Sequence, residues 1–385
     1  METVKIGIIG IGNMGSAHAV SIIAGKIPGL ELTAVADRRP ERRTWVEENL
    51  PKGTAIFTEG KELIASKKCD AVIIAVPHYQ HPPLAIEAFT AGLHVMCEKP
   101  AGVYTKQVRE MNAAAEKSGL VFAMMFNQRT NCVFREMHRI IHAGELGAIK
   151  RVSWIITDWY RTQSYYDSGA WRATWEGEGG GVLLNQCPHN LDLFQWICGM
   201  PAKVRAFCHN GKWHDIEVED DVTAYFEYPN GATGTFITTT ADAPGTNRFE
   251  VTGELGKLVC ENDTLTFYQL EVNERTFCKT AKGGFDAPKY TVKTIETDGQ
   301  NEQHVGVLKA FVGRILKGTP LVAEGKEGIF GLTLSNAMFL SSWLDTTVTL
   351  PLDEDRFLEE LNKRRKKSRL KPEGSGTVFN TEGSY

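Results

Sequence analysis

The 385-residue chain has no stretch of about 18 apolar residues, which speaks against a membrane-spanning role. Charge of one sign is also scarce. With 43 Lys and Arg against 47 Asp and Glu, the formal charge is -4, so there is no general attraction to nucleic acid. The one basic run, Lys363 to Lys371, reads as a solvated helix end and tail rather than a site for an anionic partner. Eight cysteines occur without a Cys-x-x-Cys pair, which argues against a zinc site or a dithiol redox centre. Several, such as Cys97 and Cys198, sit in apolar runs where a thiol packs as a small hydrophobe, as in a reducing compartment. Internal repeats and low-complexity blocks are missing. No charged leader precedes the apolar run Val4 to Ile9, which leads straight into glycines, so it reads as a strand and the expected location is cytoplasmic.

What the chain has is ordinary globular material, 42% hydrophobic and 23% charged. At about 150 residues per domain its length suits two domains. Up to residue 127, short apolar runs alternate with amphipathic stretches. Val4 to Ile9, Leu32 to Ala36, Ala71 to Val76, His94 to Cys97 and Val121 to Phe126 read as buried strands. Ser16 to Ala24, Pro40 to Asn49, Pro82 to Ala91 and Lys106 to Ser118 read as helices, two of them stopped at Gly92 and Gly119. Right-handed crossovers then predict a doubly wound parallel sheet in residues 1–128.

Near residue 150 the pattern changes to longer strands rich in aromatic and β-branched residues: Lys150 to Thr157, Asp221 to Tyr228 and Ala232 to Thr240, the last two joined at Pro229-Asn230-Gly231. Phe249 to Thr252 and Lys257 to Glu261 continue an open, mostly antiparallel sheet. Helices near 187–198, 301–317 and 327–343 are expected to cover one face of it. Residues 129–352 thus form an α+β domain for substrate and oligomer contacts, and 353–385 a basic helix and tail.

Gly10-Ile11-Gly12-Asn13-Met14-Gly15 follows a strand and opens a helix, the context a dinucleotide fingerprint requires. The first glycine permits the turn, the second lets backbone approach the pyrophosphate, and the third lets helix pack on strand. Asp37 ends the next strand 22 residues beyond Gly15, where a carboxylate would accept the adenosine ribose hydroxyls and repel a 2′-phosphate. NAD is therefore the expected cofactor. Arg38 and Arg39 leave NADP open, because guanidinium groups can hold a 2′-phosphate.

At Glu98-Lys99-Pro100 a cation stands at the carboxyl end of a parallel strand, the edge where such sheets bind ligands. Pro100 keeps Lys99 extended, able to reach across a cleft, although these three residues alone fit equally a surface lysine paired with Glu98. Gly10 to Gly15, Val76-Pro77 with His81, Ala91-Gly92-Leu93-His94-Val95 leading to Glu98-Lys99-Pro100, and Gly179-Gly180-Gly181 running to His189 and Asp192 resemble the Gfo/Idh/MocA oxidoreductase family over nearly the whole chain.

The resemblance implies an N-terminal Rossmann domain, a C-terminal α/β sheet domain, and action on sugars, cyclitols or their derivatives. It implies that Lys99 and His189 meet at the nicotinamide as the catalytic pair. Val76, Pro77, His78, His81, Glu98 and Asn127 are expected beside the cofactor. Oxidising a secondary alcohol needs a base for the hydroxyl proton while hydride leaves the carbon. An imidazole with an ordinary pKa near 6.5 can take that proton, and Lys99 can steady the alkoxide or share the base role. Asn185 departs from the family pattern, in which many members carry an Asp four residues before the His. An amide cannot assist as a carboxylate would, so Asn185 is expected to bind substrate hydroxyls. Pro188 either starts a helix or kinks one begun at Gly181.

Asp158-Trp159-Tyr160-Arg161, Tyr165-Tyr166 and Trp171-Arg172 concentrate rings and guanidinium groups in a loop. Tyr160, Trp171 and Arg172 are the expected substrate contacts, the rings by stacking and Arg172 by donating to hydroxyls. His78, His81 and His94 come from different elements with no acid spaced for a site, and no metal is expected. The expected whole is an NAD-dependent sugar or polyol dehydrogenase acting as a homodimer or homotetramer. A glycosidase or lyase that oxidises C3 transiently and recycles bound NAD is the first alternative, and a non-catalytic NAD-binding regulatory protein the second.

Overall fold

A computed structural model describes residues 2–371 and contains two sheets. The short apolar runs of the first third become β1 (Val4–Ile9), β2 (Leu30–Ala36), β3 (Ala55–Phe57), β4 (Ala71–Ile74), β5 (His94–Cys97) and β6 (Phe122–Met124). All pair in parallel, in the order β3-β2-β1-β4-β5-β6. The order reverses between β1 and β4, and a doubly wound sheet opens its ligand crevice at that reversal, beyond the strand ends. The three-residue β3 and the helix Gly60–Ala65 escape the periodicity because neither is long enough to complete a pattern.

The second sheet contains β7 (Ile149–Ile156), β8 (Lys203–Asn210), β9 (Glu219–Glu227), β10 (Thr233–Thr239), β11 (Asn247–Gly253), β12 (Gly256–Glu261), β13 (Thr264–Leu270), β14 (Tyr290–Thr294) and β15 (Val348–Thr349). Their order is β14-β13-β12-β11-β7-β10-β9-β8-β15. β7 and β10 run parallel and the other neighbours antiparallel, with β9 and β10 forming the hairpin expected at Gly231. Inward-facing Trp154 of β7 stacks on Phe249 of β11 at 4.2 Å, with Phe236 and Phe194 packed edge-on to complete the core. Helices Pro188–Cys198 and Gly328–Leu344 cover this face, as expected.

The helix Gln303–Lys317 does not join them. It was expected on the second sheet, but Val307, Leu308, Phe311 and Val312 pack with Ile6, Ile8, Met96, Ala123 and Met125 of the first. The helices before and after β4 that carry Leu63, Ala85 and Val108 lie on the opposite face. That leaves the inner strands on this side bare, and the returning helix covers them.

The basic run is corrected in part. Lys363, Lys366, Lys367 and Arg369 are exposed as expected, but the helix Glu354–Arg365 and the segment after it also lie against the loop before Glu178. Arg365 pairs with Glu176 at 2.9 Å, Ser368 Oγ and the Arg369 N–H donate to Glu217, and the Lys371 N–H donates to Ala170 O at 3.1 Å. A cationic chain here meets carboxylates and open carbonyls. The remainder of the expected tail, 372–385, lies outside the described residues.

Candidate active site

β1 ends in the glycine loop. Gly10 has φ +94°, and a Cβ added at Gly15 would lie 1.9 Å from Gly10 O, so the helix Asn13–Ile23 can close on its strand only with glycine there. No side chain caps that helix, which leaves its amide end to a ligand anion. A Cβ at Gly12 would find only the Arg39 guanidinium, at 3.9 Å. At the end of β2 the Asp37 carboxylate accepts from the Ile11 N–H at 2.8 Å and the Arg39 N–H at 3.0 Å, which fastens the loop beside the expected ribose position. Arg38 turns away to an exposed pair with Glu59 at 2.9 Å. These features fit a dinucleotide with Gly10 to Gly15 at its phosphates and Asp37 at its ribose.

Beyond β4 and β5 the loops lock together. His81 bridges Pro100 O and Val76 O, both at 2.7 Å, so it clamps the Val76-Pro77 turn to the Lys99 loop. Glu98 is bonded by His18 Nε2 at 2.7 Å and by the Lys99 N–H at 3.2 Å. Burial opposes its charge, yet the His18 bond and the cations around it bring the carboxyl down to about 2, so it is an anion behind Lys99. Asn127, after β6, is fully buried. Its amide donates to Gln303, and its Oδ1 has no partner.

The Lys99 side chain crosses to the second domain and donates to the backbone oxygen of Asn185 at 3.0 Å. Burial lowers its pKa, and Arg161 and Arg172 push the same way against Glu98 and Glu178. His189 enters from the helix Pro188–Cys198, edge-on to Phe126 at 6.3 Å. It is 5% exposed, and neither ring nitrogen has a hydrogen-bond partner. Burial, helped by the charges of Lys99 and His304, holds its pKa well below the ordinary range. A buried imidazole with two unmatched nitrogens is costly unless a ligand completes it.

Pro188 starts that helix at its first turn, so Asn185 lies in a separate preceding turn and does not share a helical face with His189. Glu219 secures this turn by accepting from the Gly181 and Leu183 N–H groups at 2.9 Å. The Asn185 amide donates to buried Glu178, and its oxygen accepts from Tyr165 Oη and Gln186 Nε2, both at 3.1 Å. Arg172 donates to Tyr165 Oη at 2.7 Å and lies 4.4 Å over the Tyr165 ring. Trp171 holds the other side of Arg172 at 4.7 Å and meets His78 edge-on at 6.0 Å. Tyr160 stands outside this network, half exposed.

Two family models match the chain: an oxidoreductase NAD-binding Rossmann fold over residues 4–126, and a GFO/IDH/MocA C-terminal domain over 134–259. The chain belongs to the Gfo/Idh/MocA oxidoreductase family. It is similar to the myo-inositol 2-dehydrogenase of Thermotoga maritima, 24% identical over 86% of this chain and 94% of that one. A D-glucoside 3-dehydrogenase of Escherichia coli K12 is 25% identical over 90% and 97%. The WlbA dehydrogenase from Bordetella pertussis, solved with NADH and UDP-GlcNAcA, superposes with a TM-score of 0.76 at 26% identity, covering 91% of this chain and all of that one. The protein is thus an NAD-binding oxidoreductase with sugar and inositol dehydrogenase relatives, and no described helix is long and apolar enough to cross a membrane.

Within this Gfo/Idh/MocA frame Lys99, Asn185, Trp171, Arg172 and His78 gather in one region with His189, while Tyr160 and Arg38 do not. Sequence reasoning missed Glu178, Gln186 and the His18–Glu98 pair, and named Tyr165 only as one ring of the loop. Glu178 left one trace, a carboxylate directly before three glycines. Nothing local marks His18, whose partner lies 80 positions away.

Proposed function

We propose that this oxidoreductase transfers a hydride between a nicotinamide and a secondary alcohol or ketone carbon of a sugar, glycoside or inositol. The observation that carries the reading is that Lys99 reaches across to the backbone oxygen of Asn185, four residues before His189, whose buried ring has no partner. When bound, the nicotinamide supplies the hydride acceptor or donor. The chain supplies the proton chemistry. Because burial holds His189 neutral, the imidazole serves best as the acceptor that orients the substrate hydroxyl. Lys99, its pKa also lowered, takes the proton through Nζ and returns it in the reverse direction. NAD is preferred over NADP because Asp37 stands at the ribose position and Arg38 is already paired.

A screen of purified protein with NAD and NADP against inositols, hexoses and glycosides, followed by absorbance of the reduced cofactor, tests the reading. Net reduced cofactor with a polyol supports it. Aglycone release without net reduction would instead indicate elimination chemistry, and binding of NAD without any turnover a regulatory protein. We also propose a cytoplasmic homodimer or homotetramer formed through the outer face of the second sheet, where Phe207 and Tyr225 are exposed. Sedimentation of a Phe207→Asp, Tyr225→Asp double variant as a monomer is the expected check.

A further inference from the structure

Two arginines beside the proposed substrate position rest on aromatic rings and keep donors that no described carboxylate takes up at hydrogen-bond distance. Arg161 and Arg172 both lie over the Tyr165 ring, at 5.3 and 4.4 Å, and each rests on a tryptophan as well, Arg161 on Trp159 at 5.7 Å and Arg172 on Trp171 at 4.7 Å. Rings on several sides fix the two guanidinium groups in place. Arg172 Nη1 donates to Tyr165 Oη, which donates to Asn185 Oδ1, while Lys99 Nζ donates to the Asn185 backbone oxygen, so the arginines around Tyr165 and Lys99 share one small region.

The carboxylates nearby are already committed. Glu98 is held by His18 on the far side of Lys99. The oxygens of Glu178 are taken by the Ala173 N–H at 2.6 Å and the Asn185 amide, and Arg172 Nη1 stands 4.0 Å from the nearer oxygen. Asp158 is bonded by Asn247 and is raised by burial. Arg161 has no ion pair among the described residues; its Nη1 donates only to Tyr160 O at 2.9 Å. Arg172 Nε is buried without a partner.

A buried guanidinium donor left without an acceptor costs free energy that a bound anion, by accepting from it, recovers. Guanidinium forks match planar carboxylate and phosphate oxygens in particular. A neutral sugar offers these forks only hydroxyls, which do not match two guanidinium donors as the paired oxygens of an anion do.

We propose that the substrate of this site is an anionic sugar, carrying a carboxylate or a phosphate that Arg161 and Arg172 hold while its alcohol carbon faces Lys99 and His189. This rests on the hydride-transfer reading for the role of the alcohol carbon, but not for the binding of the anion. The test is calorimetric titration of the NAD-saturated protein with D-glucuronate, D-glucose 6-phosphate, D-glucose and myo-inositol, at low and high salt.

At least one acidic sugar is expected to bind about tenfold or more tightly than D-glucose, to weaken with salt, and to lose that advantage in Arg161→Ala and in Arg172→Ala. Whichever of the two acids binds identifies the anionic group. Equal or absent binding of both acids, or an advantage that survives in the double variant, overturns the proposal. Reduced-cofactor absorbance on the same four ligands separates the two readings. An acid that binds without being oxidised leaves the anion site standing and removes hydride transfer, whereas oxidation of a neutral sugar alone does the reverse.

Discussion

The side-chain amide of Asn185 donates to the Glu178 carboxylate, so the negative charge missing at position 185 is present one layer behind it. The same residue offers its backbone oxygen to Lys99 at 3.0 Å and its side-chain oxygen to Tyr165 at 3.1 Å. Three of its polar groups are thus engaged before any substrate arrives, and one amide hydrogen is left for a hydroxyl. Glu178 therefore acts on Lys99 and on the aromatic loop together.

Glu178→Gln keeps the shape and removes the charge. Since Glu178 supports the charged form of Lys99, its loss lowers the Lys99 pKa further, and the ascending limb of kcat against pH moves to lower pH. Because the Ala173 N–H and the Asn185 amide both donate to this carboxylate, the glutamine's own amide nitrogen must face one of these two donors, at a cost of about 1–3 kcal/mol. Stability and pH profile are measured on the same preparation. A profile that stays in place while stability falls assigns Glu178 a purely structural role.

Lys99→Ala and His189→Ala should each reduce kcat by about 100- to 10,000-fold, the usual contribution of a proton-transfer or alkoxide-orienting group. NAD affinity, followed by quenching of protein fluorescence, is expected to stay within a few-fold. Lys99→Arg should be nearly as poor as Lys99→Ala, because a guanidinium does not give up its proton. Wild-type turnover in either alanine variant would remove both residues from the chemistry.

Removing the Asp37 carboxylate by Asp37→Ala should lower kcat/KM for NAD about tenfold or more, as expected for the loss of charge-assisted bonds to the ribose. The value for NADP should rise or hold, so the ratio of the two narrows. An unchanged ratio would show that discrimination lies elsewhere, with Arg39 the next residue to replace.

Acid should destabilise the protein well above the carboxylate range. Burial lowers His138 and His304 to about 4, and His78 and His189 also lie well below 6.5. Their folded pKa values are lower than the unfolded ones, so folding favours the neutral rings. That contribution is complete above about pH 6.5 and is lost as pH falls toward 4. Urea midpoints at pH 7.5, 6 and 5 should decline in that order, and His138→Gln should flatten the decline. A midpoint constant to pH 5 contradicts the burial of these rings.

Much of the first domain is legible from period alone, because both faces of its sheet are buried and β1, β4 and β5 read as nearly continuous apolar runs, broken only by Lys5 and by His94 at the start of β5. The glycine loop and Asp37 are legible for a similar reason, since their roles depend on backbone at fixed spacing. Glu178, Tyr165 and Gln186 are not, since what matters about them is a meeting of side chains in an irregular loop. The helix 303–317 is recognisable as a helix but not by destination. Its apolar stripe would serve either sheet, and only the bare inner strands of the first sheet decide the matter. His81 shows the same limit, being read as a pocket residue when its two nitrogens are spent on Val76 and Pro100.

The contacts of Arg365, Ser368, Arg369 and Lys371 with Glu176, Glu217 and Ala170 give the segment that follows the second sheet a hold on the aromatic loop. Shortening the chain to end before Arg365 would spare both hydrophobic cores, so melting should change little. The injury would appear in turnover, as a raised KM for the sugar with cofactor affinity intact. A lesion in the segment 365–371 would then pass a thermal-stability assay and fail a substrate titration.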